Sequence, residues 1–324
     1  AKEMTQEIGN RVKFYNDKTA GYMNKPDVKA KSIGRISIDL RDGNTRYFEQ
    51  IDYIDGKPRK SKDSDKEHGS ATGLRVSAWR EIDKSGKAVE TNDGKQEIRI
   101  NFTGWSGGKF GHYDEKSLGS FLGKKLNPQA IEAAEFTSRV IKKLGKDKIS
   151  NLIYGAHSMG SGNALVAHIV SNLEGVHSTS TLLMEPVGAS IVDTADAAEK
   201  IKLVAKEFDK EIEKNIVSIR TVDHEGFVSM IAGADISGGI DRVRETGTSR
   251  KPVTTVRFYD GNEPVGRFYY QHVPEENAIK SEGRLGRLDR THTLAPIINC
   301  AANCPLYYDP SALTSQVTKQ VMHR

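Results

Sequence analysis

The sequence predicts an α/β protein in which a mainly parallel sheet lies between two helical layers, with an N-terminal β-hairpin as an extension. Three observations carry this prediction. From residue 74 onward, short apolar runs alternate with amphipathic stretches, the pattern of parallel strands joined by crossover helices. Residues 151–169, NLIYGAHSMGSGNALVAHI, form an apolar run that stops at a Gly/Ser-rich corner and resumes at helical spacing. With 324 residues, 36% of them hydrophobic and 28% charged, the chain can bury a large core without disulfide staples. Residues 1–72 are expected to form an arm and hairpin packed on the body, and residues 73–324 the body itself.

The elements follow in order. Residues 1–31 are polar and weakly periodic, with Val12, Phe14, Tyr15 and Tyr22 as apolar anchors, which fits an arm or short helix. Residues 33–55 alternate: Ile36, Ile38 and Leu40 precede the turn Asp42-Gly43-Asn44, and Tyr47, Glu49, Ile51 and Tyr53 follow it, giving a hairpin. Residues 56–70, dense in Lys, Asp and Ser, have no apolar face and are expected to be an exposed loop. Two strands are expected at 74–82 and 97–102, separated by the turn sequences Lys84-Ser85-Gly86 and Asn92-Asp93-Gly94. Asn127-Pro128 supplies a capping side chain and a first-turn proline, starting a helix whose stripe is Ile131, Ala134, Ile141 and Leu144. Strand 149–154 then enters the corner, and a helix is expected from Asn163.

Beyond it, the short strand 180–184 runs into Glu185-Pro186-Val187-Gly188. Residues 194–214 form an amphipathic helical pattern, and strand 216–222 ends at Asp223. A strand at 253–259, the aromatic run Phe268-Tyr269-Tyr270 and a polar loop reaching His292 complete the pattern.

The corner carries the chemistry. Ala156-His157-Ser158-Met159-Gly160 places small residues two before and two after a serine, as a tight strand-to-helix turn requires, and such a turn lifts the hydroxyl out of the sheet. The helix that follows aims its N–H groups at the place where an oxyanion would form. An ordinary glycine-serine turn is the plain alternative. A serine needs a base to take its proton and an acid to orient that base. Asp223, at a strand end, is the expected acid, with Glu185 the alternative and Asp235 a weaker third. His292 is the expected base; His272 is its rival, and His157 fits a packing role beside the nucleophile.

This stretch resembles the nucleophile elbow of α/β-hydrolases, in the variant with a leading Ala. Gly73-Leu74-Arg75-Val76, Asn101-Phe102-Thr103-Gly104, the elbow, Met184-Glu185-Pro186-Val187-Gly188, Val222-Asp223 and His292 together look like the ordered landmarks of class 3 lipases and related phospholipases. The likeness covers roughly residues 73–300. It implies a three-layer αβα hydrolase fold and a serine hydrolase of lipase, phospholipase or esterase type, with a triad of Ser158, Asp223 and His292. Met159 and Trp105 would hold the oxyanion. The family pattern keeps a Ser or Thr hydroxyl where this chain reads Trp105. The family's lid falls on residues 104–125, where five glycines after Gly104 are interleaved with Trp105, Phe110, Tyr113, Leu118, Phe121 and Leu122. A thioesterase, peptidase or acyltransferase with the same triad, or a non-catalytic binding module on this fold, is the alternative.

The formal net charge of +5 is spread over mixed-sign clusters, which is a solvated surface rather than a nucleic-acid site. No run of about 18 apolar residues occurs to span a bilayer, so contact with a lipid surface would be peripheral. No HExxH motif is present, His224 and Glu225 lack ligand spacing with Asp223, and neither metal nor cofactor is implied. Cys300 and Cys304 read as two free thiols or a local disulfide. With Ala1 at the start and no visible signal peptide, the compartment stays open between cytoplasm and secretion, including secretion as an effector.

Overall fold

Strands alternate apolar and polar residues through most of the chain, and the sheet they build sets where every other element sits. The computed structural model describes residues 2–15, 19, 34–40, 43–56, 67–104, 128–158, 160–184, 189–192, 215–221, 244–245, 253–256, 259–260, 263–264, 267–271 and 306–307. The strands are β1 (Arg35–Asp39), β2 (Thr45–Asp55), β3 (Arg75–Ile82), β4 (Gln96–Phe102), β5 (Ile149–His157), β6 (Thr179–Met184), β7 (Ala189–Val192), β8 (Ile216–Thr221), β9 (Arg244–Glu245), β10 (Val253–Val256), β11 (Tyr259–Asp260), β12 (Glu263–Pro264), β13 (Arg267–Gln271) and β14 (Leu306–Tyr307). Nine of them form one mixed sheet in the order β1-β2-β3-β4-β5-β6-β8-β13-β14. β4, β5, β6, β8 and β13 are mutually parallel neighbours. β1 to β4 pair antiparallel on one side, and β14 closes the other side antiparallel to β13. A second sheet has the order β7-β10-β9, and β11 pairs with β12.

Helix α1 (Lys2–Phe14) covers one face of this sheet, and helices α2 (Pro128–Leu144) and α3 (Gly160–Leu173) cover the other. Alternation along each strand separates the two cores. Val76, Ala78, Ile98, Ile100, Phe102, Leu152, Tyr154 and Ala156 join Ala133, Phe136, Val140, Leu165 and Ile169 in the larger one. Trp79 turns to the opposite face, where it packs with Phe14, Phe48, Ile38 and Leu40. The α/β class and the parallel block are as the sequence predicts. The N-terminal hairpin is part of the sheet itself, since β2 pairs with β3 along its length.

Four local expectations shift. On α2 the buried residues are Ala130, Ala133, Phe136, Val140 and Ile141, while Ile131 is 43% exposed. The stripe is rotated because Glu132 is buried instead, accepting hydrogen bonds from Ser70 Oγ at 2.7 Å and Ala71 N at 3.1 Å. The same contact corrects the loop expected over 56–70: Ser70 is buried at its end, and residues 57–66 lie outside the described residues. In β2 a register irregularity between Gln50 and Asp52 breaks the alternation: Phe48 packs in the smaller core with Trp79, whereas Ile54 joins the larger core on the other face, with Ile51 packed against it. Helix α3 begins at Gly160, three residues earlier than Asn163. The helix expected at 194–214 lies outside the described residues.

The buried Asp52 ties β2 to α2. Arg139 donates from Nε to Asp52 Oδ2 at 3.0 Å and from Nη2 to Oδ1 at 2.8 Å, and its Nη1 reaches Glu67 O at 2.9 Å. The carboxylate is 1% exposed and the guanidinium 32%. Arg139→Met therefore strands a buried charge. Stability is expected to fall by about 2 kcal/mol, below the range for fully buried pairs because the guanidinium is partly solvated. The midpoint of urea denaturation measures it, and an unchanged midpoint would show that Asp52 is satisfied without Arg139.

Candidate active site

β5 is apolar and buried from Leu152 to Ala156 on its helix-facing side, so the strand is held rigidly up to its last residue, His157. The chain then turns at Ser158 and enters α3 at Gly160. Ser158 has φ 52°, and among the described residues it is the one non-glycine residue with positive φ. That conformation costs an L-residue roughly 1–2 kcal/mol. It persists because both sides of the turn are fixed: Ser158 N donates to Met184 O of β6 at 3.0 Å, and Ser161 N donates to Ser158 O at 3.0 Å. Ser158 is 9% exposed.

The small residues around the serine have steric causes. A Cβ on Gly160 would lie 2.7 Å from Thr103 O and 2.9 Å from Phe102 O, so α3 starts in direct contact with the backbone leaving β4. A Cβ on Gly155 would meet Asn101 Oδ1 at 2.6 Å and Tyr15 Cδ2 at 2.9 Å. Ala156 is fully buried opposite Phe102 in the β4–β5 register. The elbow, the end of β4 and α1 therefore meet at one point.

Under the elbow, a buried polar layer fixes α3. The Tyr154 hydroxyl is hydrogen-bonded with Ser171 Oγ, and burial pushes its pKa well up, with Ser171 opposing. It stays neutral and acts as a strut. His168, fully buried on α3, pairs through Nδ1 with Thr181 Oγ1 of β6 at 2.8 Å. Asn163 donates to Gln129 Oε1 at 3.3 Å, and Gln129 to Thr72 O at 3.0 Å, joining α3, α2 and the segment before β3. His157, the last residue of β5, is buried.

Of the residues singled out from the sequence, Ser158 is described, and Asp223, His292, Met159, Trp105, Glu185, Asp235 and His272 lie outside the described residues, as do Cys300, Cys304 and nearly all of the lid segment 104–125. Their chain neighbours are informative. β5, β6, β8 and β13 are parallel, so their carboxyl ends share one edge of the sheet. Ser158 follows β5, Glu185 follows Met184 of β6, Asp223 lies two residues after Thr221 of β8, and His272 follows Gln271 of β13. Sequence reasoning ranked His272 below His292 on its aromatic neighbours. Among the described residues, no group of three or more His, Cys, Asp or Glu is arranged to hold a metal ion, and no helix is long and apolar enough to cross a membrane.

No protein-family model matches the chain, and no curated protein matches it. Among solved structures, the chain is similar to a Rhizomucor miehei lipase propeptide complex, a deletion mutant, at 10% identity and a TM-score of 0.42, covering 91% of this chain and 76% of that one.

The strain at Ser158 has a measurable signature. At a left-handed position glycine outperforms alanine, the reverse of their usual order in regular structure. Ser158→Gly is expected to be more stable than Ser158→Ala by about 1 kcal/mol, read from thermal unfolding of the two variants. Equal stabilities would mean that the turn carries no strain. Gly160→Ala drives a methyl into backbone oxygens that cannot rotate away, and is expected to lower stability by about 1–3 kcal/mol in the same measurement.

Proposed function

We propose that the chain is a serine hydrolase of the α/β-hydrolase type, resembling class 3 lipases, that cleaves carboxylic esters through an acyl-enzyme on Ser158. The observation that carries this reading is the positive φ of Ser158 at a corner between a buried parallel strand and a helix, with Ala156 and Gly160 on either side. Strain of this kind persists where the surroundings over-determine it and where a side chain must be presented.

In the proposed reaction His292 takes the Ser158 proton as Oγ bonds to the ester carbonyl carbon. The Met159 and Trp105 N–H groups and the positive end of α3 stabilise the resulting oxyanion. Collapse breaks the ester C–O bond, and the imidazolium returns its proton to the departing alcohol. Water then repeats the sequence on the acyl-enzyme, releasing the acid and restoring Ser158. Asp223 orients His292 and stabilises its charged form. The substrate is an ester or lipid, and lipid surfaces would be met peripherally. A second reading of the base rests on topology: in sequence His272 directly follows β13, whose carboxyl end shares the sheet edge with that of β5.

Ser158→Ala is expected to reduce turnover of a chromogenic short-chain ester by several orders of magnitude while leaving the fold intact. A fluorophosphonate probe should label the wild-type chain at Ser158 and not this variant. Retained hydrolysis, or an unlabelled wild type, would remove the assignment. Asp223→Asn and His292→Ala should each abolish turnover with the circular-dichroism spectrum unchanged. If Glu185→Gln or His272→Ala does the damage instead, the acid or the base moves to that residue.

A further inference from the structure

Tyr15, the residue directly after α1, links the N-terminal helix to the end of β4. Its side chain is fully buried. The hydroxyl donates to Phe102 O, at the end of β4, at 2.5 Å. The ring lies over Gly155 of β5, where its Cδ2 would be 2.9 Å from an added Cβ. The same Phe102 carbonyl lies within 2.9 Å of a Cβ built on Gly160, the first residue of α3, and Thr103 N is held by Arg75 O at 3.1 Å. Phe102 and Thr103 are thus gripped from three sides: by β3, by the start of the elbow helix and by the Tyr15 hydroxyl.

Helix α1 is itself firmly seated, which a positioning contact requires. Ile8, Val12 and Tyr15 form a buried stripe at helical spacing. Phe14 packs on Phe48 with ring centroids 4.6 Å apart, and the buried Arg99 guanidinium lies 4.8 Å from the Phe14 ring centroid. Arg11 Nη2 donates to Tyr154 O of β5 at 3.4 Å, and Trp79 Nε1 donates to Thr19 O at 3.0 Å just beyond the helix.

We propose that Tyr15 is a positioning residue for the reaction at Ser158: its hydroxyl fixes the Phe102 carbonyl against which the first residue of α3 packs, and so sets the N-terminal turn of α3, whose positive end faces the developing oxyanion, relative to the Ser158 oxygen. The proposal rests on Ser158 being the nucleophile. Tyr15 touches neither substrate nor the reacting atoms; it acts through Phe102 and Thr103, whose carbonyls contact Gly160. Oxyanion stabilisation is steep in distance, so releasing this backbone by a fraction of an ångström is felt in the transition state and little in the bound ester.

The test is Tyr15→Phe in the full chain, which keeps the ring over Gly155 and deletes the one hydroxyl. Turnover of a soluble chromogenic ester is expected to fall about tenfold in kcat with KM nearly unchanged, and the affinity for an aryl trifluoromethyl ketone, whose hemiketal oxygen occupies the oxyanion site, should weaken by about the same factor. Active-site titration with a fluorophosphonate normalises kcat to competent enzyme. If kcat per titrated site and ketone affinity both stay at wild-type values in Tyr15→Phe, or if activity falls only in step with the folded fraction, the proposal is overturned while Ser158 keeps its role. A wild-type chain that the fluorophosphonate does not label overturns both.

Discussion

The structure depends on the contact between Gly160 and the backbone carbonyls of Phe102 and Thr103. A helix that must begin within van der Waals reach of a neighbouring strand end has no room for a side chain at its first residue. It also cannot be reached from β5 by a relaxed turn. The strand is anchored through Met184 O and the helix through its polar and apolar struts, so the conformational cost falls on the single residue between them, Ser158. Close packing and backbone strain are here one feature seen from two sides: relax the approach of α3 to β4, and the positive φ at Ser158 has nothing to hold it.

Much of the fold was legible because its signals are local. The hairpin, β3, β4, the Pro128 helix start, β5 and β6 all follow from periodicity and turn residues within windows of a dozen positions. What was not legible depends on partners far away in the chain. Ile131 reads as core by spacing, yet Glu132 takes the inward position because Ser70 and Ala71 offer it donors some sixty residues distant. The β2 irregularity at Gln50/Asp52 likewise serves the ion pair with Arg139, 87 positions on. Two-residue β14, which closes the sheet beside β13, has no periodicity to read.

The site divides in the same way. Ser158 was visible because a strained corner demands small residues at fixed offsets, and Ala156 and Gly160 stand at them. Tyr15 was visible only as an apolar anchor, since nothing in its neighbourhood of sequence points to Phe102 O, 87 residues away. A helix that seals the face of a sheet opposite the elbow helix is a packing element by composition. Tyr15, directly after its last residue, makes it also part of the scaffold of the elbow.

The parallel block bears on which carboxylate suits a serine at the end of β5. Ser158 N bonds to Met184 O, so β6 ends directly beside the elbow, about one strand spacing or 4.8 Å away, whereas β8 stands two strand spacings off, about 10 Å. A triad acid does not touch the serine. It addresses the far nitrogen of an imidazole that stands between them, and two hydrogen bonds of about 2.8 Å plus the width of the ring fill a gap of that larger size. A carboxylate on the adjacent strand would compete for the space the imidazole needs, unless its longer side chain turned away from the serine. Within the proposed triad, the strand order β5-β6-β8 is thus the reason to take Asp223 rather than Glu185 as the acid, independent of the residue order along the chain.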